Sequence, residues 1–202
     1  VTEQIDTDLS SCLRAYPTIP LATKLSLLRD VSAGLLYLHS FNPPIIHGDL
    51  TTTNILFTQD WRAKIADFGN SVDKDFLSTV PGSLAYMPPE AFVKRLSYDT
   101  KLDIFSFGTV SLFVGIQAKA CDYGKRDELI QTLSTASSEL ECLYEIVTQC
   151  CDHDPTKRPS SKDLNIRMEQ LCKDNLLPGK DIMQLQCDKV RSIMSMFEVT
   201  VH

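Results

Sequence analysis

The chain has 202 residues, 43% of them hydrophobic and 23% charged, with a formal net charge of −6. That length and apolar share fit one folded domain with a sizeable core and exclude a chain that is disordered throughout. The acidic balance argues against nucleic acid as the principal partner, because a phosphate backbone calls for a basic face.

Taken in order, Val1 to Ile5 reads as the end of a strand running into a linker, with no charged and apolar leader pattern. Leu21, Leu25, Leu28, Val31, Leu35 and Leu38 recur at steps of three and four, which predicts a helix. Asn42-Pro43-Pro44 stops it, since proline lacks a donor and disfavours helix in the residue before it. After a loop at His47 to Asn54, the apolar runs Ile55 to Phe57 and Ala63 to Ala66 flank a polar connection, which predicts a hairpin. Asp67 to Glu90 shows no helical period and reads as a long irregular loop, a kind of segment that usually carries function. Lys101 to Ile116 is apolar on nearly all sides and reads as a buried helix, too short to span a bilayer. Lys125-Arg126 reads as solvated helix surface. Leu140, Leu143, Val147 and Cys150 mark another helix, and Leu164, Met168 and Leu171 a third. Beyond Pro178-Gly179, Ile182, Leu185, Ile193 and Phe197 suggest a further amphipathic segment. The seven cysteines have no paired C-x-x-C spacing, which favours reduced core thiols and a cytosolic setting over a disulfide framework or zinc site.

Three short motifs stand in a fixed order. His47-Gly48-Asp49-Leu50-Thr51-Thr52-Thr53-Asn54 resembles the H-R-D-L-x-x-x-N catalytic loop of protein kinases, and Asp67-Phe68-Gly69 resembles D-F-G. Met87-Pro88-Pro89-Glu90 resembles A-P-E. Each match alone is weak and has a bland reading: a cap for Asp49, turns for Asn54 and Asp67. Their order, and the hairpin between the first two, carry the resemblance. Asp103-Ile104-Phe105-Ser106-Phe107-Gly108 is similar to the start of the family's buried central helix, and Asp154-Pro155-Thr156-Lys157-Arg158-Pro159 to its late D-P-x-x-R-P element. Thr2-Glu3-Gln4-Ile5 is similar to a gatekeeper followed by the hinge. Gly82-Ser83-Leu84-Ala85-Tyr86-Met87 looks like the substrate-side segment of serine/threonine kinases, and the tyrosine-kinase-like group among them fits best.

The resemblance implies a mainly α fold: a protein-kinase C-lobe, helical with a small β-hairpin, over residues 1–172, and a C-terminal extension, partly helical, over 173–202. It implies ATP-dependent phosphoryl transfer to a protein serine or threonine hydroxyl, with ATP and magnesium as cofactors and a protein substrate as partner. Asp49 would accept the proton of the substrate hydroxyl. Asn54 and Asp67 would offer oxygen ligands to magnesium. Glu3, Ile5 and Leu56 would line the adenine site. Glu90 and Arg158 would form a buried ion pair, and Asp103 would accept hydrogen bonds from the catalytic-loop backbone.

The sequence also departs from the family pattern. Gly48 stands where an Arg ordinarily pairs with a phosphorylated activation loop. Thr51 and Thr53 stand where a Lys or Arg often steadies the transferring phosphate, so charge stabilisation is expected to be weaker. Only 20 residues precede the Leu21 helix, whereas five strands and a helix need roughly 40. No G-x-G-x-x-G occurs, so the upper lobe (N-lobe) is expected to be absent, the chain to be a fragment inactive alone, and a complete parent to supply that lobe. The expected location is cytoplasmic, or the cytoplasmic portion of a larger membrane receptor, with no membrane insertion in this segment. Two rivals stand beside this reading: a non-catalytic pseudokinase-like binding module and a small-molecule phosphotransferase, whose His47-Gly48-Asp49 resemblance is close.

Overall fold

The computed structural model describes residues 5–16, 18–58, 62–68, 84–92, 99–117 and 125–175. Glu3, Gly69, Ser83 and the segment after Asn175 lie outside them, and with them the expected amphipathic stretch from Ile182 to Phe197.

The leucine stripe folds as expected into α2 (Leu21–His39), with Leu25, Leu28, Val31 and Leu35 essentially without exposure. Ahead of it the chain differs from the expected linker. Ile5–Asp8 forms strand β1, followed directly by helix α1 (Leu9–Ala15). Asp8 caps that helix, its carboxylate accepting from Ser11 N at 2.8 Å and from Ser11 Oγ at 2.7 Å. The expected hairpin is present as β2 (Ile55–Thr58) and β3 (Ala63–Ile65). With β1 it makes an antiparallel sheet ordered β1-β2-β3, irregular in register between Ile5 and Thr7. Ile55 and Phe57 point to the core, and Leu56, opposite Asp8 and Lys64 in register, points to the other face, half-buried. Asp30 of α2 fastens the hairpin by accepting from Arg62 Nε at 2.8 Å and from Ala63 N at 3.3 Å.

The centre is α3 (Lys101–Ile116), in which every residue from Leu102 to Gly115 is buried. A helix apolar all round can sit only where others surround it. Here α2, α4 (Arg126–Ala136) and α5 (Glu141–Cys150) pack against it, and α6 (Ser161–Asn175) packs along α2. Gly108 is the close approach: a Cβ there would meet Cys150 Cβ and Cys151 Sγ, each at 2.7 Å. Cys150 and Cys151 both face packed interior, in two adjoining apolar clusters, as free thiols. At the far end of α3, the side chain of Lys24 is buried and donates to Gly115 O at 2.8 Å, supplying a carbonyl that the helix itself leaves open. Among the described residues no helix is long and apolar enough to cross a membrane. The architecture is the expected mainly α lobe with a small sheet.

Candidate active site

The loop from His47 to Asn54 lies between α2 and β2, and buried groups on three sides hold it. Asp103, with no exposure, accepts from His47 N and Gly48 N at 2.9 Å each, the contact the sequence predicts. His39 Nε2 meets the same carboxylate at 2.9 Å. Three donors around one buried carboxylate compensate its loss of water. Gly48 sits at φ 74°, a conformation that glycine adopts without the Cβ penalty.

The hairpin carries the chain back so that Ala66 lies against this loop. Ala66 N donates to Asn54 O at 2.9 Å, and His47 Nε2 bonds to Ala66 O at 3.0 Å. Asp49 N donates to His47 Nδ1 at 3.3 Å, so the network makes Nε2 the protonated nitrogen. Both peptide groups of Ala66 are thereby used, and the next residue, Asp67, turns at φ 61° into an exposed position. The ring of Phe68 packs edge-on against His47, with centroids 5.2 Å apart.

Asn54 Nδ2 donates to Asp49 O at 2.9 Å and to Asp49 Oδ2 at 3.3 Å. Both acceptors lie on the amide nitrogen, which leaves Asn54 Oδ1 as the oxygen able to face a cation. Asp49, Asn54 and the backbone before Asp67 therefore meet at one place. The two oxygen donors expected for a metal, Asn54 Oδ1 and the Asp67 carboxylate, are of the kind that magnesium takes, and magnesium normally keeps water and phosphate in its shell. Among the described residues no group of three or more His, Cys, Asp or Glu is placed to hold a metal ion by itself.

Thr51 does not reach outward where a cation is common in the family pattern. It is buried, its Oγ1 bonds Thr53 Oγ1 at 2.8 Å, and it also accepts from Asn54 N at 3.3 Å. Thr52 bonds Tyr86 OH at 2.8 Å, joining the loop to the segment from Leu84 to Phe92. That segment folds as two single turns, Leu84–Tyr86 and Pro89–Phe92. Glu90 and Arg158 meet as expected: Nη1 to Oε1 at 2.5 Å and Nη2 to Oε2 at 2.9 Å, a two-pronged pair.

One expectation is overturned. Arg126 is not solvated surface, for its Nη2 donates to Ala85 O at 2.7 Å and to Met87 O at 3.3 Å. Lys125 beside it is exposed. Sequence reasoning also missed His39 and Thr52, whose partners lie 64 and 34 positions away. Of the residues expected at the adenine site, Leu56 stands on the outer face of the sheet and Ile5 enters β1.

A helical lobe thus holds a loop pinned from below by a buried aspartate, and a hairpin brings the backbone before a second aspartate against that loop. The chain belongs to the protein kinase domain family, whose model matches residues 1–177. It is 31% identical over 163 residues to the probable serine/threonine-protein kinase kinX of Dictyostelium discoideum, covering 76% of this chain. A stretch of 94 residues, 44% of this chain, is 43% identical to the serine/threonine-protein kinase TNNI3K of Mus musculus. The dual specificity protein kinase shkA of Dictyostelium discoideum is 29% identical over 183 residues, 80% of this chain. The matched segments span 15%, 11% and 33% of those relatives' own lengths.

Proposed function

We propose that this chain is the catalytic floor of a protein serine/threonine kinase, working with an upper lobe supplied by the complete protein. The observation that supports the reading is the double use of Ala66, bonded to Asn54 O and to His47 Nε2, which ties the backbone just before Asp67 to the loop that carries Asp49 and Asn54. In this reading the Asp49 carboxylate takes the proton of the substrate hydroxyl as its oxygen attacks the γ-phosphorus of ATP. The bond to the bridging oxygen breaks and ADP leaves. Asn54 Oδ1 and the Asp67 carboxylate would hold magnesium, which when bound would neutralise phosphate charge. Leu56 would pack beneath the adenine, and the hinge residues Glu3 and Ile5 would hold it. Relatives named as serine/threonine kinases support that acceptor class, and one named as dual specificity makes phosphotyrosine the outcome to look for.

The absence of a cation from Thr51 favours a second reading, a lobe that binds partners without transferring phosphate. Asp49→Asn in the full-length protein separates the two, because the amide keeps the shape and hydrogen bonds while losing basicity. Peptide phosphorylation should fall about 10²–10⁴-fold with unchanged melting. A variant keeping more than half of the parental rate removes Asp49 from the reaction. A wild-type protein that binds Mg-ATP yet labels no peptide, with phosphoamino-acid analysis as readout, supports the binding module.

A further inference from the structure

Arg126 lies in none of the motifs that define the site, yet it reaches the stretch that the kinase reading sets against the peptide. Its Nη2 donates to Ala85 O and Met87 O at 2.7 and 3.3 Å. Between them, Tyr86 O accepts from Ser106 Oγ of α3 at 3.0 Å. Three successive carbonyls are thus turned inward onto side chains of two helices. No regular secondary structure holds this stretch beyond single turns, so these side chains supply what a helix or sheet ladder elsewhere would.

The guanidinium is itself held in place. Its carbon lies 4.5 Å from the centroid of the Phe105 ring, against which the Arg158 guanidinium also lies at 4.7 Å. Phe105 is 1% exposed, so both cations meet a desolvated ring face, where such contacts are strongest. One ring in α3 therefore seats two arginines that grip the same segment: Arg126 at Ala85 and Met87, Arg158 at Glu90. Leu84, just ahead of Ala85, is 59% exposed, so the stretch keeps an outward side open to a ligand.

We propose that Arg126 is a positioning residue for the protein substrate. It holds Ala85 to Met87 in the backbone conformation that receives the peptide next to Asp49, and it makes the start of α4 part of the substrate site. This inference rests on the kinase reading for its ligand, but not for its geometry.

The test uses Arg126→Gln, which keeps a polar side chain but loses the charge and the fork, with Arg126→Lys as the conservative partner. Hydrogen exchange in the purified chain should show the amides of 84–92 exchanging at least about tenfold faster in Arg126→Gln, with those of α6 unchanged, because charge-assisted bonds are lost locally. In the full-length protein the peptide KM should rise by about fivefold or more while the ATP KM stays within twofold. Arg126→Lys should fall between, since an ammonium is a point charge without the planar fork. Unchanged exchange in 84–92 overturns the clamp. Equal rises in both KM values, or an unchanged peptide KM, overturn the positioning role. If the wild-type protein phosphorylates nothing, the kinase reading fails, and the positioning role that depends on it fails too, while hydrogen exchange still decides the clamp.

Discussion

Replacing Arg158 with Ala tests how the lower lobe holds the segment that ends the long loop. The Arg158 side chain has 0% exposure and that of Glu90 22%. The Arg158 guanidinium makes four hydrogen bonds: Glu90 takes both prongs, Asp152 O accepts from Nε at 2.8 Å, and Lys101 O accepts from Nη1 at 3.1 Å. Removing one partner of a buried pair costs about 3–5 kcal/mol. Water reaching Glu90 from its exposed edge draws that share toward the lower end. The two carbonyls that lose a charged donor add about 1 kcal/mol each if they stay dry. These shares overlap, so a total of about 4 kcal/mol is expected for Arg158→Ala, and somewhat less for Glu90→Ala. With a urea slope of about 2 kcal/mol/M, the unfolding midpoint should drop by about 2 M. A cycle of Arg158→Ala, Glu90→Ala and the double variant, followed by circular dichroism in urea, should give a coupling above about 1.5 kcal/mol. Additive single effects, or a loss below about 1 kcal/mol for Arg158→Ala, would refute the reasoning.

Gly108→Ala should destabilise by about 1–3 kcal/mol, because its Cβ lands on backbone-proximal atoms of Cys150 and on the Cys151 sulfur, which cannot swing aside; an unchanged urea midpoint would show that α3 and α5 separate freely. Burial pushes the thiols of Cys12, Cys151 and Cys172 up to about 11 from an ordinary 9.0. Only about one in a thousand is thiolate at pH 8, so iodoacetamide should leave them unmodified in the native chain and label them in urea. The folded state keeps these protons where the unfolded state has lost them, so stability should be intact below pH 9 and decline as pH rises toward 11. Melting curves that stay flat across that window would contradict it.

The elements with a wide apolar signature were legible in the sequence. The stripe from Leu21 to Leu38 and the uninterrupted run of α3 each bury enough surface that no alternative conformation competes. The hairpin was legible because β-branched and aromatic residues flank a polar connection. By contrast, α4 fully buries only Leu133, with Leu129 and Ile130 partly covered beside it, a set too short to show a helical period in the sequence. The short helix α1 has a readable cap in Asp8, but seven residues are too few to show a period. β1 becomes a strand because β2 offers it an edge, a fact of tertiary structure. Within the site, motif residues could be named from order and spacing. Arg126, His39 and Thr52 could not, because each acts through a partner brought near only by folding.

The departures from the family pattern acquire a common physical meaning once the loop is seen from below. Asp103 fixes the backbone at His47 and Gly48, and the turn it enforces requires φ 74° at Gly48. Glycine meets that requirement freely, whereas a residue bearing a Cβ costs about 1 kcal/mol there. The same change removes the cation that the resemblance pairs with a phosphorylated loop. At Thr51 a hydroxyl bonds Thr53 and the Asn54 amide, fastening the loop internally where a longer cation would extend toward phosphate. Both changes take positive charge out of the loop while tightening it. In the proposed kinase, a site so built would keep Asp49 and Asn54 in register without help from a phosphate. It also has less charge to set against a transferring phosphoryl group, and electrostatic stabilisation of that kind is usually the largest single contribution to rate. Under the proposed function, these changes point to a kinase that would be held in register by its own core and would turn over slowly, in preference to one that a loop phosphate switches on.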